Sequence, residues 1–592
     1  MVNLKINGIP LEVEDGTSIL DAARKINIKI PTLCYNPDLP PWAACGLCIV
    51  RMEGSPKMVR ACTTPVTENM SVITHDTEII EVRRTVLELI LSNHPNYCLQ
   101  CPRSGNCELQ TLAAEFGIRE SPFRKLLNGL PLDDSNPAII LNPEKCIRCG
   151  RCVKVCQEMQ NVWALEFLGR GIKGRIASAA GSPLGSSPCI MCGQCAAHCP
   201  VGAIYERDDT VKVWAALQNP QIHPVVQIAP AVRVALAEEF GLQPGTILTK
   251  QIYAALRRLG FKTVFDTNFS ADLTIMEESS ELVKRLTELA KGGKADVPLI
   301  TSCCPAWVDY MEKYYTDMIP NFSTAKSPQQ MMGAMIKSYW AEKAGIDPQK
   351  VYSVSVMPCT AKKWETKRND DMKSAGAGYD VDISITTREL ARMIKQAGIE
   401  ILKLPEEEPD NPLGPYTGAG TIFGATGGVM EAAVRSAYYF VTKKELGNVN
   451  FMPARGLEGV KEAEVDFGVP VLGRETKIRI AVAHQMGNIA AVLDRIRAAR
   501  QAGAETPYHF VEVMACRGGC IGGGGQPYGC TDEIRRLRAG GLYTDDAQSA
   551  YRCSHQNPCI TQVYGEFLGE PGGHKAHELL HTSYTERMLY VK

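Results

Sequence analysis

The chain has 592 residues, too many for one core, and a length prior suggests about four domains. Its 64 basic and 65 acidic residues balance, so nothing points to nucleic acid or an anionic membrane surface. No apolar run approaches the ~20 residues of a membrane helix, and the start, MVNLKINGIPLEVEDG, lacks the tripartite pattern of a secretory signal. The chain is expected to be soluble and cytoplasmic. Of its 23 cysteines, 15 precede residue 200. Disulfide frameworks belong to secreted chains or small scaffolds, whereas thiolates clustered at short spacings hold metal.

The opening segment alternates, with Val2, Leu4 and Ile6, then Ile9, Leu11 and Val13, about an Asn7-Gly8 hairpin turn. Ser18 and Asp21 mark the start of a helix, Ile19 to Ile26. This pattern suggests a small β-grasp module. It carries Cys34, Cys45, Cys48 and Cys62, four thiols that can supply two ligands to each iron of a 2Fe–2S cluster. Spacing alone does not say which pair holds which iron. The spacing departs from the plant-type C-x4-C-x2-C start and resembles the N-terminal domain of the large subunits of NADH dehydrogenases and FeFe-hydrogenases.

A helical stretch from Glu81 to Leu91 leads to His94, Cys98, Cys101 and Cys107. Three close cysteines leave one corner of a 4Fe–4S cubane vacant, and His94 is placed to fill it. Next come Cys146, Cys149, Cys152 and Cys156, then Cys189, Cys192, Cys195 and Cys199, the last followed by Pro200. Paired C-x2-C-x2-C-x3-C runs mark a two-cluster ferredoxin domain, far more specific than the single C-x2-C that also suits zinc. Ligation should cross between the runs: Cys146, Cys149, Cys152 and Cys199 on one cluster, Cys189, Cys192, Cys195 and Cys156 on the other. The Gly/Ser-rich stretch Gly171 to Ser187 reads as a connector. Such a row of clusters is a wire for electrons, and sequence order does not give their spatial order.

From about residue 210 short β-rich runs alternate with helical ones. Val225 to Ile228 precedes a helix at Val232 to Phe240, and Phe261 to Asp266 precedes a helix near Ser280 to Leu289. Further strands are expected around Val354 to Val356, Ile383 to Ile385 and Ile478 to Val482, giving an α/β domain with a largely parallel sheet. Lys403 to Gly420, rich in Pro and Gly, reads as a surface excursion. Here cysteines stand at the ends of three expected strands: Cys303-Cys304, Cys359, and Cys516 with Cys520. Ligands bind beyond the carboxyl ends of strands in open α/β sheets, so five thiols converge on one crevice. A cubane needs four.

Thr301-Ser-Cys-Cys-Pro-Ala-Trp307, Met357-Pro-Cys-Thr-Ala-Lys-Lys363 and Met514-Ala-Cys-Arg-Gly-Gly-Cys520 resemble the three signatures of FeFe-hydrogenases, and with the four upstream patterns the resemblance spans essentially the whole chain. It implies that Cys304, Cys359, Cys516 and Cys520 hold the cubane of the H-cluster, with Cys520 also bridging to a two-iron subsite. In this family that subsite carries CO, cyanide and an azadithiolate and is inserted by maturases. Lys362 would pair with a cyanide. Cys303 would exchange protons with the bridge amine and continue through Glu278, Ser323 and Glu281, within Met276-Glu-Glu-Ser-Ser-Glu281 and Ser323-Thr-Ala-Lys-Ser-Pro-Gln329. As isolated carboxylates, those two glutamates would otherwise be a solvated helix face. Pro230, Gln329, Met357 and Met514 match residues lining the two-iron pocket.

Ala231 follows Pro230 where many members have serine, and Arg517 and Gly522 stand at variable positions; tuning is expected from them, without loss of activity. The run Gly522 to Gly525 lacks the Gly-Lys-Ser/Thr of a phosphate loop, so backbone packing near the cluster is expected. Cys530, Cys553 and Cys559 have no interpretable spacing and read as buried structural thiols. Tyr564 to Leu568 and His577 to His581 resemble the small-subunit-like wrap of single-chain members, although His577-Glu-Leu-Leu-His581 also fits the HExxH of zinc proteases.

Four domains are expected. Residues 1–79 form a 2Fe–2S β-grasp, 80–125 a one-histidine, three-cysteine 4Fe–4S domain, 126–209 a two-cluster ferredoxin domain, and 210–592 the H-cluster domain with its tail. The ligands would hold one 2Fe–2S cluster, three 4Fe–4S clusters and a six-iron H-cluster, about 20 irons. Electrons would pass to ferredoxin or to a flavin-bearing, NAD(P)H-linked subunit of a complex, in some relatives electron-bifurcating, because no dinucleotide fingerprint occurs here. Two competitors share parts of this pattern. An electron-transfer subunit of a respiratory or formate-oxidising complex would lack the three later motifs. An iron–sulfur assembly or sensor protein would commonly lack Cys303 or Lys362.

Overall fold

The computed structural model describes residues 1–127, 129–472 and 475–590. The chain forms two compact units, one of Met1–Met159, Trp163–Ser187 and His198–Tyr205, the other of Gln160–Val162, Pro188–Ala197 and Glu206–Lys592.

In the first unit Val2–Ile6 and Ile9–Val13 form the expected hairpin, with Leu4 opposite Leu11. Asn7 and Gly8 both take positive φ, as a tight two-residue turn requires. Val2–Ile6 also runs parallel to Met70–Ile73, which pairs with Ile49–Met52 and through it Met58–Arg60. Alternation along Val2–Ile6 points Val2, Leu4 and Ile6 into a core with Leu20, Val50 and Val72. Each such side chain stabilises by roughly 1.5–3 kcal/mol on burial. The helix Ile19–Lys25 begins at the expected cap, the Ser18 hydroxyl accepting from the Asp21 N–H. The Glu81 to Leu91 expectation falls inside a longer helix, Thr77–Ser92, capped by Asp76 through the Ile79 N–H at 2.8 Å.

The second unit is α/β but contains two four-stranded sheets where one was expected. The first, in order Thr263–Asp266, His223–Ile228, Val351–Met357, Ile383–Thr386, is wholly parallel. The second, in order Leu299–Ile300, Phe510–Met514, Lys477–His484, Val460–Asp466, is parallel except for its last pair. The inner strands His223–Ile228, Val351–Met357 and Phe510–Met514 are buried along nearly their whole length, as parallel strands covered on both faces are.

Three local expectations are corrected. Val232 to Phe240 is not one helix; it holds two short 3-10 segments, Pro230–Val232 and Leu236–Phe240. The helix expected near Ser280 starts 13 residues earlier as Thr267–Ala290. Asp266 caps it through the Asn268 N–H while pairing with the buried Arg233 at 2.7 Å. Lys403 to Gly420 is a surface excursion only in its first half, because Leu413, Gly414 and Thr417 onward are buried and Gly418–Ile422 is helical. Among the described residues, no helix is long and apolar enough to cross a membrane.

Candidate active site

Cys304 ends the segment after Leu299–Ile300 and stands at the N-terminus of the helix Pro305–Tyr314. Cys359 follows Val351–Met357, and Cys516 and Cys520 follow Phe510–Met514. The three strands belong to two different sheets, so the thiols meet where the carboxyl ends of both sheets come together. All four thiols are pushed up in pKa, Cys359 to about 12. Burial is the main cause, and neighbouring sulfurs of the same set add to it at Cys359, Cys516 and Cys520. Four converging thiols, Cys359 and Cys516 buried and Cys304 and Cys520 half-buried, form a donor set suited to a cationic iron cluster, which would take all four as thiolates.

Lys362 lies at this cradle. Its ammonium donates to the Cys303 carbonyl at 3.1 Å and pairs with Glu365 at 2.8 Å. Burial opposes its charge, but Glu365, Cys359 and Cys303 hold its pKa above the ordinary lysine value. Glu365 also accepts from Ser327 at 2.9 Å and Gln329 at 3.0 Å, and Gln329 in turn accepts from Ser355 at 2.8 Å. This network fixes Gln329. Pro230, Met357 and Met514 are buried just beyond the ends of three of the strands or at their last residue. Glu512 caps the helix Gly428–Thr442, accepting from the N–H groups of Gly427 and Met430 at 2.6 and 2.7 Å.

Cys303 is half-buried among titratable groups. Burial is the first cause of its high pKa and Glu278 the second. Among the described residues neither oxygen of Glu278 has a hydrogen-bond partner. Burial raises its carboxyl to about 8; the Ser323 hydroxyl opposes that rise and Glu281 adds to it. Glu278 is therefore no solvated helix face, being fully buried. Ser323 is held by its N–H to the Ile300 carbonyl at 2.8 Å. Glu281, on the same helix as Glu278, is partly exposed and pairs with Arg285 at 2.7 Å. Of the four expected relay residues, Glu278 and Ser323 are fully buried while Cys303 and Glu281 are half-buried.

The cysteine run of the larger unit docks on the cradle. Cys192 feels Cys195, Cys516 and Cys189 once burial is counted. The Gln194 amide donates to the Gly522 carbonyl at 2.9 Å and supports the Cys516 thiolate. Thr360 donates to the Met191 carbonyl at 2.7 Å, and Lys313 to that of Cys189 at 3.1 Å. A Cβ on Gly193 would collide with Thr360, and one on Gly524 with the Cys192 carbonyl. The glycine run is packing, as expected.

The two ferredoxin-like runs repeat at the backbone. Arg148 and Met191 both have φ of 58°, and their N–H groups point at Cys146 and Cys189 sulfurs at 3.3 and 3.4 Å. In the first unit Cys199 is among the influences on Cys146 and Cys149, after burial. Cys152 lies in the helix Arg151–Lys154 and Cys156 in the turn Val155–Met159. The Cys48 and Cys62 sulfurs are 3.3 Å apart, and Cys34 interacts with Cys45, so the four form two pairs. His94 Nδ1 lies 3.1 Å from the Asn96 side-chain oxygen, while its Nε2 is buried without a partner among the described residues. The Asn96 N–H also approaches Nδ1, at 3.2 Å, so Nε2 is the ring nitrogen left open for a ligand. No disulfide joins any of the 23 cysteines.

Other expectations resolve differently. Of Cys530, Cys553 and Cys559 only Cys553 is fully buried; the other two are half-buried. His581 leaves the helix His574–Leu580 and engages Thr324 at 2.7 Å and Glu277 at 3.0 Å, so His577 and His581 do not present an HExxH metal pair. Arg517 makes a double hydrogen bond to Asp532 at 2.6 and 2.7 Å, and the Ala231 carbonyl accepts from Gln526 at 2.9 Å. Gln194, Glu365 and Tyr584 were not singled out from sequence. Tyr584, in the tail, donates to the Ser323 carbonyl at 2.7 Å. Gln194 stands between Cys192 and Cys195, and Glu365 two residues past Lys363, an adjacency that could have pointed to them; nothing in the sequence marks Tyr584.

Comparison with known families matches residues 222–524 to the iron only hydrogenase large subunit, C-terminal domain, and 532–587 to the iron hydrogenase small subunit. Upstream, residues 1–77 match a 2Fe-2S iron-sulfur cluster binding domain, 83–122 the NADH-ubiquinone oxidoreductase-G iron-sulfur binding region, and 138–200 a 4Fe-4S dicluster domain. The NADP-reducing hydrogenase subunit HndD of Solidesulfovibrio fructosivorans is 47% identical, with 99% of each chain covered. Iron hydrogenase 1 of Clostridium pasteurianum is 39% identical over 99% of this chain and 100% of its own. Cytosolic iron-sulfur assembly component 3 of Rattus norvegicus is more distant, 30% identical over 69% of this chain and 86% of its own. Among solved structures, a variant of [FeFe]-hydrogenase HydA1 from Chlamydomonas reinhardtii aligns with a TM-score of 0.56 and 44% identity, covering 64% of this chain and 99% of that one.

Proposed function

Because the chain belongs to the iron-only, or FeFe, hydrogenase family, we propose that this oxidoreductase interconverts hydrogen with protons and electrons at a six-iron H-cluster, the electrons passing through its iron–sulfur domains. The observation that carries the reading is the docking of the Cys189–Cys195 run on the Cys516 side of the four-cysteine cradle, which brings an electron relay against the reaction site. Cys304, Cys359, Cys516 and Cys520 would hold the cubane, and Cys520 would bridge to a two-iron subsite. When bound, that subsite supplies the making and breaking of the H–H bond and exchanges the electrons.

The chain's own residues supply the rest. Lys362, kept charged by Glu365, offers a fixed ammonium to an anionic cyanide ligand. Pro230, Gln329, Met357 and Met514 close the pocket and keep water out. Cys303 Sγ holds the transferable proton, and Glu278, Ser323 and Glu281 carry it to solvent, each able to give and take a proton. A relay of this kind needs a carboxyl whose proton affinity sits near neutrality, and Glu278 has one.

The remaining ligands assign one 2Fe–2S cluster to the Cys34/Cys45 and Cys48/Cys62 pairs, each pair on one iron, and three 4Fe–4S clusters to the other three sets. The domains proposed to carry them are 1–79, 80–125, 126–209 and 210–592. The NADP-reducing relative favours a hydrogenase complex whose flavin-bearing, NAD(P)-linked subunit lies on another chain, with ferredoxin as a further or alternative partner. Cysteines clustered at metal-ligand spacings and not in disulfides favour the reducing cytoplasm. Retention of both Cys303 and Lys362 argues against a non-catalytic assembly or sensor role.

Anaerobic expression with the maturases, followed by iron analysis and infrared spectroscopy, tests the proposal. About 20 irons and bands from CO and cyanide are expected; matured protein without those bands overturns it. The isolated chain should not reduce NAD(P) with hydrogen, and reduction by it alone would overturn the assignment of that site to another subunit.

A further inference from the structure

One cluster of metal-ligating side chains lies outside the iron sites. Glu445, just beyond the helix Gly428–Thr442, meets Cys553 and His555 from the C-terminal segment, and a carboxylate oxygen, the thiol and a ring nitrogen all lie within 4.8 Å of one another. We propose that Glu445, Cys553 and His555 bind one borderline-soft divalent cation, zinc(II), as a staple between these two parts of the chain.

The nitrogen–oxygen edge of the cluster fits a tetrahedral ion. His555 Nε2 stands 3.2 Å from both oxygens of Glu445. With metal–nitrogen and metal–oxygen bonds of about 2.0–2.1 Å, one edge of a tetrahedral site is about 3.3 Å long. The ring is prepared for ligation from behind. Its Nδ1 lies 3.1 Å from the Ser436 hydroxyl, which can accept that proton and leave the Nε2 lone pair facing the site. The Tyr439 ring stacks on the imidazole, 4.3 Å away and 5° from parallel.

Gln556 fixes the other two ligands at once. Its amide nitrogen donates to Glu445 Oε2 at 3.0 Å, and its amide oxygen accepts from the Cys553 N–H at 3.2 Å. Cys553 is 1% exposed while Glu445 is exposed, so the site is anchored inside and open outside, with room for water as fourth ligand. A mixed sulfur, nitrogen and oxygen set selects zinc over calcium or magnesium, which take oxygen alone. Ser554, between the two tail ligands, donates to Asp272 at 2.8 Å on the helix that also carries Glu278, so the staple would brace the relay helix.

The test uses full-length, iron-loaded protein under anaerobic conditions, titrated with zinc(II) against a chromophoric chelator and desalted. One zinc per chain is expected, with an absorption-edge fine structure showing one sulfur among lighter neighbours. Cys553→Ser and His555→Gln should weaken zinc at least about tenfold, whereas Cys559→Ser should not. A zinc shell of several sulfurs, zinc lost on desalting, or zinc held equally by Cys553→Ser overturns the proposal. The wild-type spectrum decides the matter even if a variant folds poorly.

Discussion

The Lys362 ammonium and the Glu365 carboxylate form a buried ion pair at 2.8 Å, one turn apart at the edge of the four-cysteine cradle. Removing one member of such a pair strands the other charge. Glu365→Ala should cost about 3–5 kcal/mol of stability, read as a lower melting temperature. Lys362→Met should keep the iron of the accessory clusters yet lose CO and cyanide bands, because the proposed cyanide pairing ties that ammonium to the two-iron subsite alone.

Cys303 and Cys304 are adjacent but should fail differently. Cys303→Ala removes the proposed proton carrier without removing an iron ligand, so iron content should hold while hydrogen evolution drops by about 10²–10⁴-fold. Cys304→Ala should lose iron itself. Undiminished turnover in Cys303→Ala would sink the relay.

Glu278 gives a pH signature. Its carboxyl is raised from 4.5 to about 8, so the folded state binds this proton more tightly than the unfolded state. Its contribution to stability is present below about 4.5, falls as pH rises, and levels off above about 8, a difference of about 3–5 kcal/mol. Denaturation of the wild type and Glu278→Gln between pH 5 and 8 should show the variant's stability falling less. The same variant should lose hydrogen evolution, and Glu278→Asp should recover part of it.

These three predictions rest on residues whose legibility in sequence differed. The cysteines were readable because ligand geometry is written in local spacing. Glu278 carried no such mark, since one carboxylate on a helix looks the same whether solvated or buried. The helix that bears it was half-missed. Residues 267–275 are buried all round, so they show no amphipathic period, and Asp266 reads as the end of a strand before it reads as a cap. The division into two sheets was invisible because Leu299–Ile300 pairs with Phe510–Met514, about two hundred residues away. Pairing across such distances leaves no local pattern.

Gln194 links the Cys189–Cys195 run to the four-cysteine cradle inside the larger unit. It donates to Gly522 at 2.9 Å and favours the thiolate of Cys516. A hydrogen bond to a cluster sulfur raises the reduction potential. Gln194→Leu should therefore lower the potential of the H-cluster cubane by tens of millivolts, the equivalent of one hydrogen bond at about 0.5–1.5 kcal/mol. Redox titration followed by infrared spectroscopy would read the shift. A potential unchanged beside a merely slower turnover would assign Gln194 to packing alone.

Tyr584 shows what the tail contributes. Its hydroxyl donates to the Ser323 carbonyl at 2.7 Å, and its ring packs on Phe322 at 5.0 Å and under Arg368. Tyr584→Phe keeps the ring contacts and strands one buried carbonyl, a cost of about 1–3 kcal/mol. The loss falls on the backbone of the one relay residue that is not a carboxylate or thiol. A looser Ser323 spends less time within reach of Glu278, so hydrogen evolution should fall severalfold while iron content and infrared bands stay unchanged. Because the proton step slows and the chemistry at iron does not, the solvent isotope effect on turnover should rise in Tyr584→Phe. An isotope effect equal to that of the wild type would place the tail outside the proton path and leave it a structural wrap.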